Sequence, residues 1–296
     1  MKKISRRHAI QSLATIAAGT LIRPASVFAV QPVQNKIRFA VIGDWGTGEK
    51  DSIGIARQMV NSHRRTPFDF VIAAGDNIYP DGDCRHVAKC FEQPFGPFLQ
   101  DRVNFYAVLG NHDVERGRQD QCQYPLFNMG GRAFYTMTHA GGLVDFFMID
   151  STNFENAQAA WLQQSLKAST APWKIAVFHH PLYSSGDKHG SNLKLRKQLE
   201  PLLTAHGVTV VFSGHDHIYE RTKPQQGIQY FVTGAGGKTR RGGIKKDSPI
   251  RQVSFDEDNH FMLIEIDDRQ MGFKAITETG SVVDEGIVSP VTVVPS

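Results

Sequence analysis

The sequence predicts an α/β fold in which two β-sheets lie between helical layers. Three observations carry that prediction. Apolar strands alternate with helix-spaced segments from Ile37 onward, strand-rich hairpins fill the last third, and no repeat or Pro/Ser-rich linker divides the 296 residues. With 41% hydrophobic residues and 19 Phe, the chain has enough apolar surface for a large core, which excludes a disordered or collagen-like protein.

Taken in order, Ile37–Ile42 reads as an apolar strand that stops at Gly43-Asp44. Residues 51–63 place Ile53, Ile55, Ala56, Met59 and Val60 at helical spacing. Residues 68–74 form a buried strand ending at Gly75-Asp76, 86–100 are expected to be helical, and 103–109 form a third strand ending at Gly110-Asn111-His112. Residues 134–137 and 144–149 read as neighbouring strands around Gly141-Gly142. An amphipathic helix spans 155–168, a strand 173–178 ends at His179, a helix spans 192–205, and a strand 208–212 ends at Gly214-His215. Strands are expected at 229–233, 261–267, 271–277 and 282–288. Residues 237–249, rich in Gly, Lys and Arg, read most simply as a solvated loop; the sharper reading is a site rim that attracts an anionic substrate.

The net charge of +4 has to be located before it is interpreted. Residues 1–29 hold five basic residues and no acidic one, so the remainder of the chain stands at −1. Basic Lys2, Lys3, Arg6 and Arg7, an apolar run Leu13–Ala18, and the small-residue end Val27-Phe28-Ala29 follow the grammar of a secretory signal peptide cleaved after Ala29. Ser5-Arg6-Arg7 gives it a twin-arginine character, implying the twin-arginine export machinery as a partner and a periplasmic or secreted destination for the domain at 30–296. The apolar run is too short and too interrupted by Gly19 and Arg23 for stable membrane insertion. Nothing in the near-neutral remainder calls for nucleic acid. Cys84, Cys90 and Cys122 allow at most one internal bridge, between Cys84 and Cys90 or between either and Cys122, and without a C-x-x-C pair they do not suggest zinc.

Five polar clusters each follow the carboxyl end of an apolar strand. They are Gly43-Asp44-Trp45-Gly46, Gly75-Asp76-Asn77-Ile78-Tyr79, Gly110-Asn111-His112-Asp113, Val177-Phe178-His179-His180 and Gly214-His215-Asp216-His217. Ligands of α/β sheets bind at that edge, so residues distant in sequence should converge there. Any one cluster could be a helix cap, an Asx turn or a satisfied core histidine. All five together point to a site. Oxygen donors and imidazoles without thiolate suit iron, manganese or zinc, and seven donors are too many for one tetrahedral ion. They suit two ions that share a carboxylate, the usual device for in-line displacement at phosphorus.

These clusters resemble the signature of the calcineurin-like metallophosphoesterases: D-x-G, G-D-x-x-Y, G-N-H-[DE], V-x-x-H in the form Ala176-Val177-Phe178-His179, and G-H-x-H. Gly46 in place of a histidine, together with Tyr79, makes the pattern similar to purple acid phosphatases, including the tartrate-resistant type, rather than to cyclic-nucleotide phosphodiesterases. The resemblance implies the metallophosphoesterase fold, a four-layer α-β-β-α sandwich with two mixed β-sheets flanked by helices. It implies a binuclear centre in which Asp44, Tyr79 and His217 hold Fe(III), Asn111, His179 and His215 hold a divalent Fe, Zn or Mn, and Asp76 bridges them. The implied reaction is hydrolysis of phosphate monoesters, with phosphate esters as substrates. His112 and His189 are the candidates for protonating the leaving group. His180 is expected to point away, and Asp113 and Asp216 to orient ligand histidines or loops. A phosphodiesterase or phospholipase of the same fold is the alternative, and a non-catalytic iron- or phosphate-binding protein is a further one.

Overall fold

The structure is a computed structural model and describes residues 36–290. The expected leader at 1–29 lies outside them. Within this unit β1 (Ile37–Ile42), α1 (Lys50–Arg65), β2 (Phe70–Ala73), α2 (Gly96–Gln100) and β3 (Asn104–Ala107) open the fold. Two short helices, α3 (Asp113–Arg116) and α4 (Arg118–Gln123), lead to β4 (Tyr135–His139), β5 (Val144–Met148), α5 (Asn156–Ala168), β6 (Trp173–Val177) and α6 (Leu193–Ala205). Then follow β7 (Val210–Ser213), β8 (Tyr219–Thr222), β9 (Gln229–Thr233), β10 (Arg251–Phe255), β11 (His260–Ile266), β12 (Met271–Thr277) and β13 (Val282–Val288).

The strands form two mixed sheets, ordered β13-β12-β11-β1-β2-β3 and β10-β8-β9-β7-β6-β5-β4. In the first, β1, β2 and β3 run parallel, and β11 joins β1 antiparallel through pairs such as Phe39 with Ile264. In the second, β5, β6, β7 and β9 run parallel, with antiparallel strands at both margins. Phenylalanines fill the space between the sheets. Phe39 stacks on Phe70 at 5.2 Å within one sheet and meets Phe146 of the other edge-on at 5.2 Å, and Phe231 meets Phe273 at 4.9 Å. Edge-on pairs of this kind contribute about 0.5–1.5 kcal/mol each beyond area burial. Leu162 and Leu166 of α5 and Leu195, Leu199 and Leu203 of α6 cover the outer face of the second sheet, while α1 lies beside β11 of the first.

The structure departs from the sequence expectations at the 86–100 helix and by two added strands. The helix expected at 86–100 is broken into a 3-10 turn at Cys84–His86, a π-helical turn at Ala88–Glu92 and the short α2. Pro94, Gly96 and Pro97 cannot sustain one continuous helix there. Strands β8 and β10 were not foreseen, because Tyr-Glu-Arg-Thr and Arg-Gln-Val-Ser-Phe show little apolar alternation. The three cysteines are unpaired, two of them buried.

Candidate metal centre

Strands β1, β2, β3, β6 and β7 end on a common edge, and the turn after each one delivers a side chain to it. Asp44, Asp76 and His215 reach the site from a left-handed backbone, at φ 54°, 52° and 72°. Residues other than glycine are uncommon there, and such strain concentrates where side chains must be aimed. The turns also interlock. A Cβ on Gly110 would lie 2.1 Å from Asp76 Oδ1, and one on Gly214 would lie 2.4 Å from Asp44 Oδ2. The glycine ahead of one predicted ligand is therefore the surface on which another rests.

The seven predicted metal-binding residues form one connected cluster. Donor atoms of Asp44, Asp76 and His179, all buried, lie within 4.8 Å of one another. The Tyr79 hydroxyl donates to Asp76 Oδ2 at 2.9 Å and stands 3.4 Å from both Asp44 Oδ1 and His217 Nε2. His217 Nε2 is 3.4 Å from Asp44 Oδ1. On the other side, His179 Nε2 lies 3.5 Å from Asp76 Oδ1 and 3.2 Å from Asn111 Oδ1. The ring of His215 packs 5.1 Å from that of His179, and its amide donates to Asp44 Oδ2 at 2.8 Å.

This donor set fits cations. His179 Nδ1 donates to the Ala74 carbonyl at 2.9 Å, which leaves Nε2 with a bare lone pair facing Asn111 Oδ1, another acceptor, at 3.2 Å. Two acceptors at that distance have no proton between them, and a cation is what satisfies both. Nδ1 of His217 is buried without a hydrogen-bond partner among the described residues. Titration behaviour agrees. Burial and then Asp76 push Asp44 upward; burial, then Asp44 and Asp76, push Tyr79 upward; burial, then neighbouring imidazoles, push His179 and His215 downward. Burial is also the main cause that brings His217 down to about 4, against the pull of Asp76 and with further help from Lys238, Arg240 and Lys188. Each shift favours the neutral form, the mark of a buried polar cluster that lacks compensating charge.

Both predicted proton donors border the cluster. His112 is half-buried, its ring lies 4.6 Å from that of Tyr79, its amide donates to Asp76 Oδ1 at 3.0 Å, and its Nδ1 donates to the Pro80 carbonyl at 2.5 Å. His189 is exposed, yet its ring lies 4.0 Å from that of His215. His180 does not turn fully away: its ring is 4.5 Å from that of His215, while the Ser151 hydroxyl donates to its Nδ1 at 2.9 Å.

The neighbouring aspartates hold loops. Asp113 accepts the amides of Asn77, Ile78 and Gly110 at 2.9, 3.0 and 2.8 Å, which fixes the turn carrying Asp76 and Tyr79. Asp216 accepts the Ser184 hydroxyl at 2.6 Å and the Gly190 amide at 3.0 Å, which fixes the loop carrying His189. Sequence reasoning missed Gln121, whose Nε2 donates to Asp113 Oδ1 at 2.9 Å. It also missed Glu220, fully buried, which takes the Ser185 amide at 2.6 Å and hydroxyl at 2.5 Å. The only sequence signal for Glu220 is a charged residue directly after an aromatic one, Tyr219, and that signal is weak.

Residues 37–219 match the family described as calcineurin-like phosphoesterase. The chain is 32% identical to purple acid phosphatase 17 of Arabidopsis thaliana over 250 residues, 73% of each protein. It is 29% identical to human tartrate-resistant acid phosphatase type 5 over 237 residues, 68% of this chain and 73% of that one. The solved structure of GAP50, described as the anchor in the inner membrane complex of Plasmodium, superposes with a TM-score of 0.76 at 22% identity, covering 86% of this chain and 89% of that one, and at that identity it speaks for the fold alone. The family match across most of the described chain, the purple acid phosphatase relatives and the clustered donors agree: the chain belongs to the calcineurin-like phosphoesterases, metal-dependent hydrolases of phosphoesters, in the purple acid phosphatase branch.

Proposed function

We propose that the protein is an exported acid phosphatase that hydrolyses phosphate monoesters at a binuclear Fe(III)–M(II) centre. In this reading Asp44, Tyr79 and His217 hold the ferric ion, and Asn111, His179 and His215 hold a divalent Fe, Zn or Mn. Asp76, whose two oxygens face Tyr79 and His179, bridges them. The observation that carries it is the Tyr79 hydroxyl within 2.9–3.4 Å of Asp76, Asp44 and His217. A phenolate is a hard, electron-rich donor suited to the ferric state, whereas the amide and imidazoles of the other half are neutral donors suited to a divalent ion.

When bound, the two ions supply an acidified water nucleophile and offset the charge that builds on the phosphoryl oxygens. The chain does the rest. Gly110 and Gly214 keep the carboxylates of Asp76 and Asp44 against backbone, so the donors cannot splay apart. The Ala74 carbonyl fixes the His179 tautomer. His112, anchored through Nδ1 to Pro80, presents Nε2 as the atom that hands a proton to the departing alkoxide, with His189 across the site as the second candidate. Mildly acidic conditions keep such an imidazole protonated.

Metal analysis with a visible spectrum of the purified protein tests the reading. A tyrosinate-to-iron band that vanishes in Tyr79→Phe supports it. A colourless, iron-free protein with full monoester activity removes the ferric assignment, and faster turnover of a matched diester than of its monoester removes the phosphatase assignment. Export by the twin-arginine route is part of the same proposal, because folding before export lets the chain take up metal in the cytoplasm. Replacing Arg6 and Arg7 with lysine should trap the precursor inside the cell, and undiminished export would refute that route.

A further inference from the structure

Strand β5 runs parallel to β6 and ends on the same edge, so the turn after it is a sixth neighbour of the metal centre. That turn is braced. The Gln158 side chain accepts the Asp150 amide at 2.8 Å and donates to the Asp150 carbonyl at 3.0 Å. The Asp150 carboxylate accepts the Thr152 amide at 2.9 Å and pairs with Arg118. Ser151, buried between them, turns its hydroxyl to His180.

This contact decides where His180 carries its hydrogen. Ser151 Oγ accepts the His180 amide at 3.0 Å and lies 2.9 Å from His180 Nδ1. The hydroxyl proton has no other acceptor among the described residues, so it is donated to Nδ1. Nδ1 is then the acceptor nitrogen of the ring, and the ring hydrogen resides on Nε2. A second proton on the ring would go to Nδ1 and leave that hydrogen in place. His180 therefore presents a fixed N–H donor at Nε2, and Nε2 has no hydrogen-bond partner among the described residues.

The ring stands between the donor cluster and a cavity. On one side it meets the rings of His215 at 4.5 Å and His179 at 5.1 Å. His189 flanks His215 from another loop, which is held to 243–245 by the Asp187 amide on Gly243 and the Lys245 amide on Ser185, both at 2.9 Å. On its other side His180 lines a cavity of about 380 Å³ between the turn at 151–155 and the start of α6. None of the seven predicted metal-binding residues lines that cavity, so it begins where the cluster ends.

The cavity wall is polar and has no charge bias. Of its ten residues only Phe154 and Leu195 are apolar, and the two charged ones, Glu155 and Lys194, are exposed and opposite in sign. Asn192 uses its Oδ1 to accept the Leu195 amide at 3.0 Å, which leaves its Nδ2 hydrogens available. Such a wall suits an uncharged group that carries hydroxyls. A bare hydrocarbon would strip water from these polar groups and return no hydrogen bond.

We propose that His180 is a specificity-determining residue: its Nε2–H, held in place by Ser151, donates to a hydroxyl of the leaving alcohol, so that the site prefers phosphate monoesters of polyols to those of simple alcohols. This rests on the phosphatase reading above. The phosphoryl group sits at the donor cluster, and the alcohol passes His180 into the cavity. His180 grips the organic part and moves no proton, a task left to His112 or His189.

The test compares kcat/KM for glycerol 1-phosphate and for n-propyl phosphate, which lacks both hydroxyls, in metal-loaded wild type and variants. One neutral hydrogen bond converts to about threefold to tenfold, and wild type should favour the glycerol ester by at least that factor. His180→Phe should lose the glycerol ester's advantage, in excess of any fall on the propyl ester. His180→Gln, whose amide N–H reaches the place of Nε2, should restore part of it, which separates a lost donor from misfolding. Ser151→Ala should narrow the advantage, because the ring is then free to turn or to carry its hydrogen on Nδ1. Calorimetry with 3,4-dihydroxybutylphosphonate and butylphosphonate, neither of which has an ester bond to hydrolyse, gives a readout free of turnover. Wild type should bind the diol more tightly by about threefold or more, and His180→Phe should bind the two alike. Measurable but equal kcat/KM for the two esters in wild type, or a preference that survives His180→Phe, would overturn the assignment. A diol margin in calorimetry from a protein that hydrolyses neither ester would overturn the phosphatase reading and leave the recognition standing.

Discussion

The buried carboxylate of Asp113 receives both the backbone amide and the side-chain amide of Asn77, at 2.9 and 3.1 Å. A residue that follows β3 thereby fixes the turn that follows β2. With the amides of Ile78 and Gly110 on the same carboxylate, the positions of Asp76, Tyr79 and Asn111 are set by one group that faces none of the metal sites directly.

Asp113→Ala should accordingly cost far more than an average substitution. It strands three buried backbone N–H groups, each worth about 1–3 kcal/mol when left unpaired. The expected loss is about 3 kcal/mol or more in urea unfolding, from three such groups at the lower end of that range. A loss below about 1 kcal/mol would mean that water or a rearranged Gln121 replaces the carboxylate.

Removing His112 should depend on the leaving group. His112→Ala is expected to lower kcat on an alkyl phosphate by about 10²–10⁴. The fall on p-nitrophenyl phosphate should be much smaller, because nitrophenolate departs without a proton. His189→Ala should show the same trend more weakly, its ring being exposed. Equal losses on both substrates would assign His112 to binding rather than proton transfer.

The pair Glu220 and Ser185 can be probed by amide exchange. Glu220→Ala removes the acceptor of the Ser185 amide and hydroxyl. Exchange across 185–190 should accelerate by about tenfold or more, the equivalent of one lost charge-assisted bond. Exchange in α5, on a different element, should stay as it was. Unaltered protection at 185–190 would show that the contact with 243–245 holds the loop without Glu220.

His260 makes stability depend on pH. It is fully buried, and burial lowers its pKa to about 3 from 6.5. The unfolded chain therefore takes up this proton first. The contribution is intact above pH 6.5 and drains away as pH falls from 6.5 to 3, at about 1.4 kcal/mol per pH unit, or roughly 2 kcal/mol at pH 5. His260→Gln should flatten this acid limb in urea unfolding between pH 7 and 4. A slope identical to wild type would place the acid sensitivity elsewhere.

Much of the site was legible because its signals are local. Gly-Asp, Gly-Asn-His and Gly-His-x-His each sit next to an apolar strand, so strand end and chemistry are read from the same few residues. The partners that hold those turns are not local. Asp113 with Asn77, Asp216 with Ser184 and Glu220 with Ser185 are separated by 36, 32 and 35 residues, and no short window contains both members. The fold shows the same division. Apolar β1, β2, β6 and β7 were readable, whereas β8 owes its strand conformation to β9 and β10 on either side and not to its own residues. The helix expected at 86–100 failed because two prolines and a glycine outweigh its apolar spacing.

The contacts made by Gly110 and Gly214 have an evolutionary corollary. Each is a hollow filled by a carboxylate from another turn, so no side chain can grow there while Asp76 and Asp44 remain. A descendant of this fold that abandons catalysis is released from the restriction only in one order: the carboxylates shorten first, and the glycines enlarge afterwards. Along such a lineage, a bulky residue at either position would be a fossil of a centre already lost, legible without any assay.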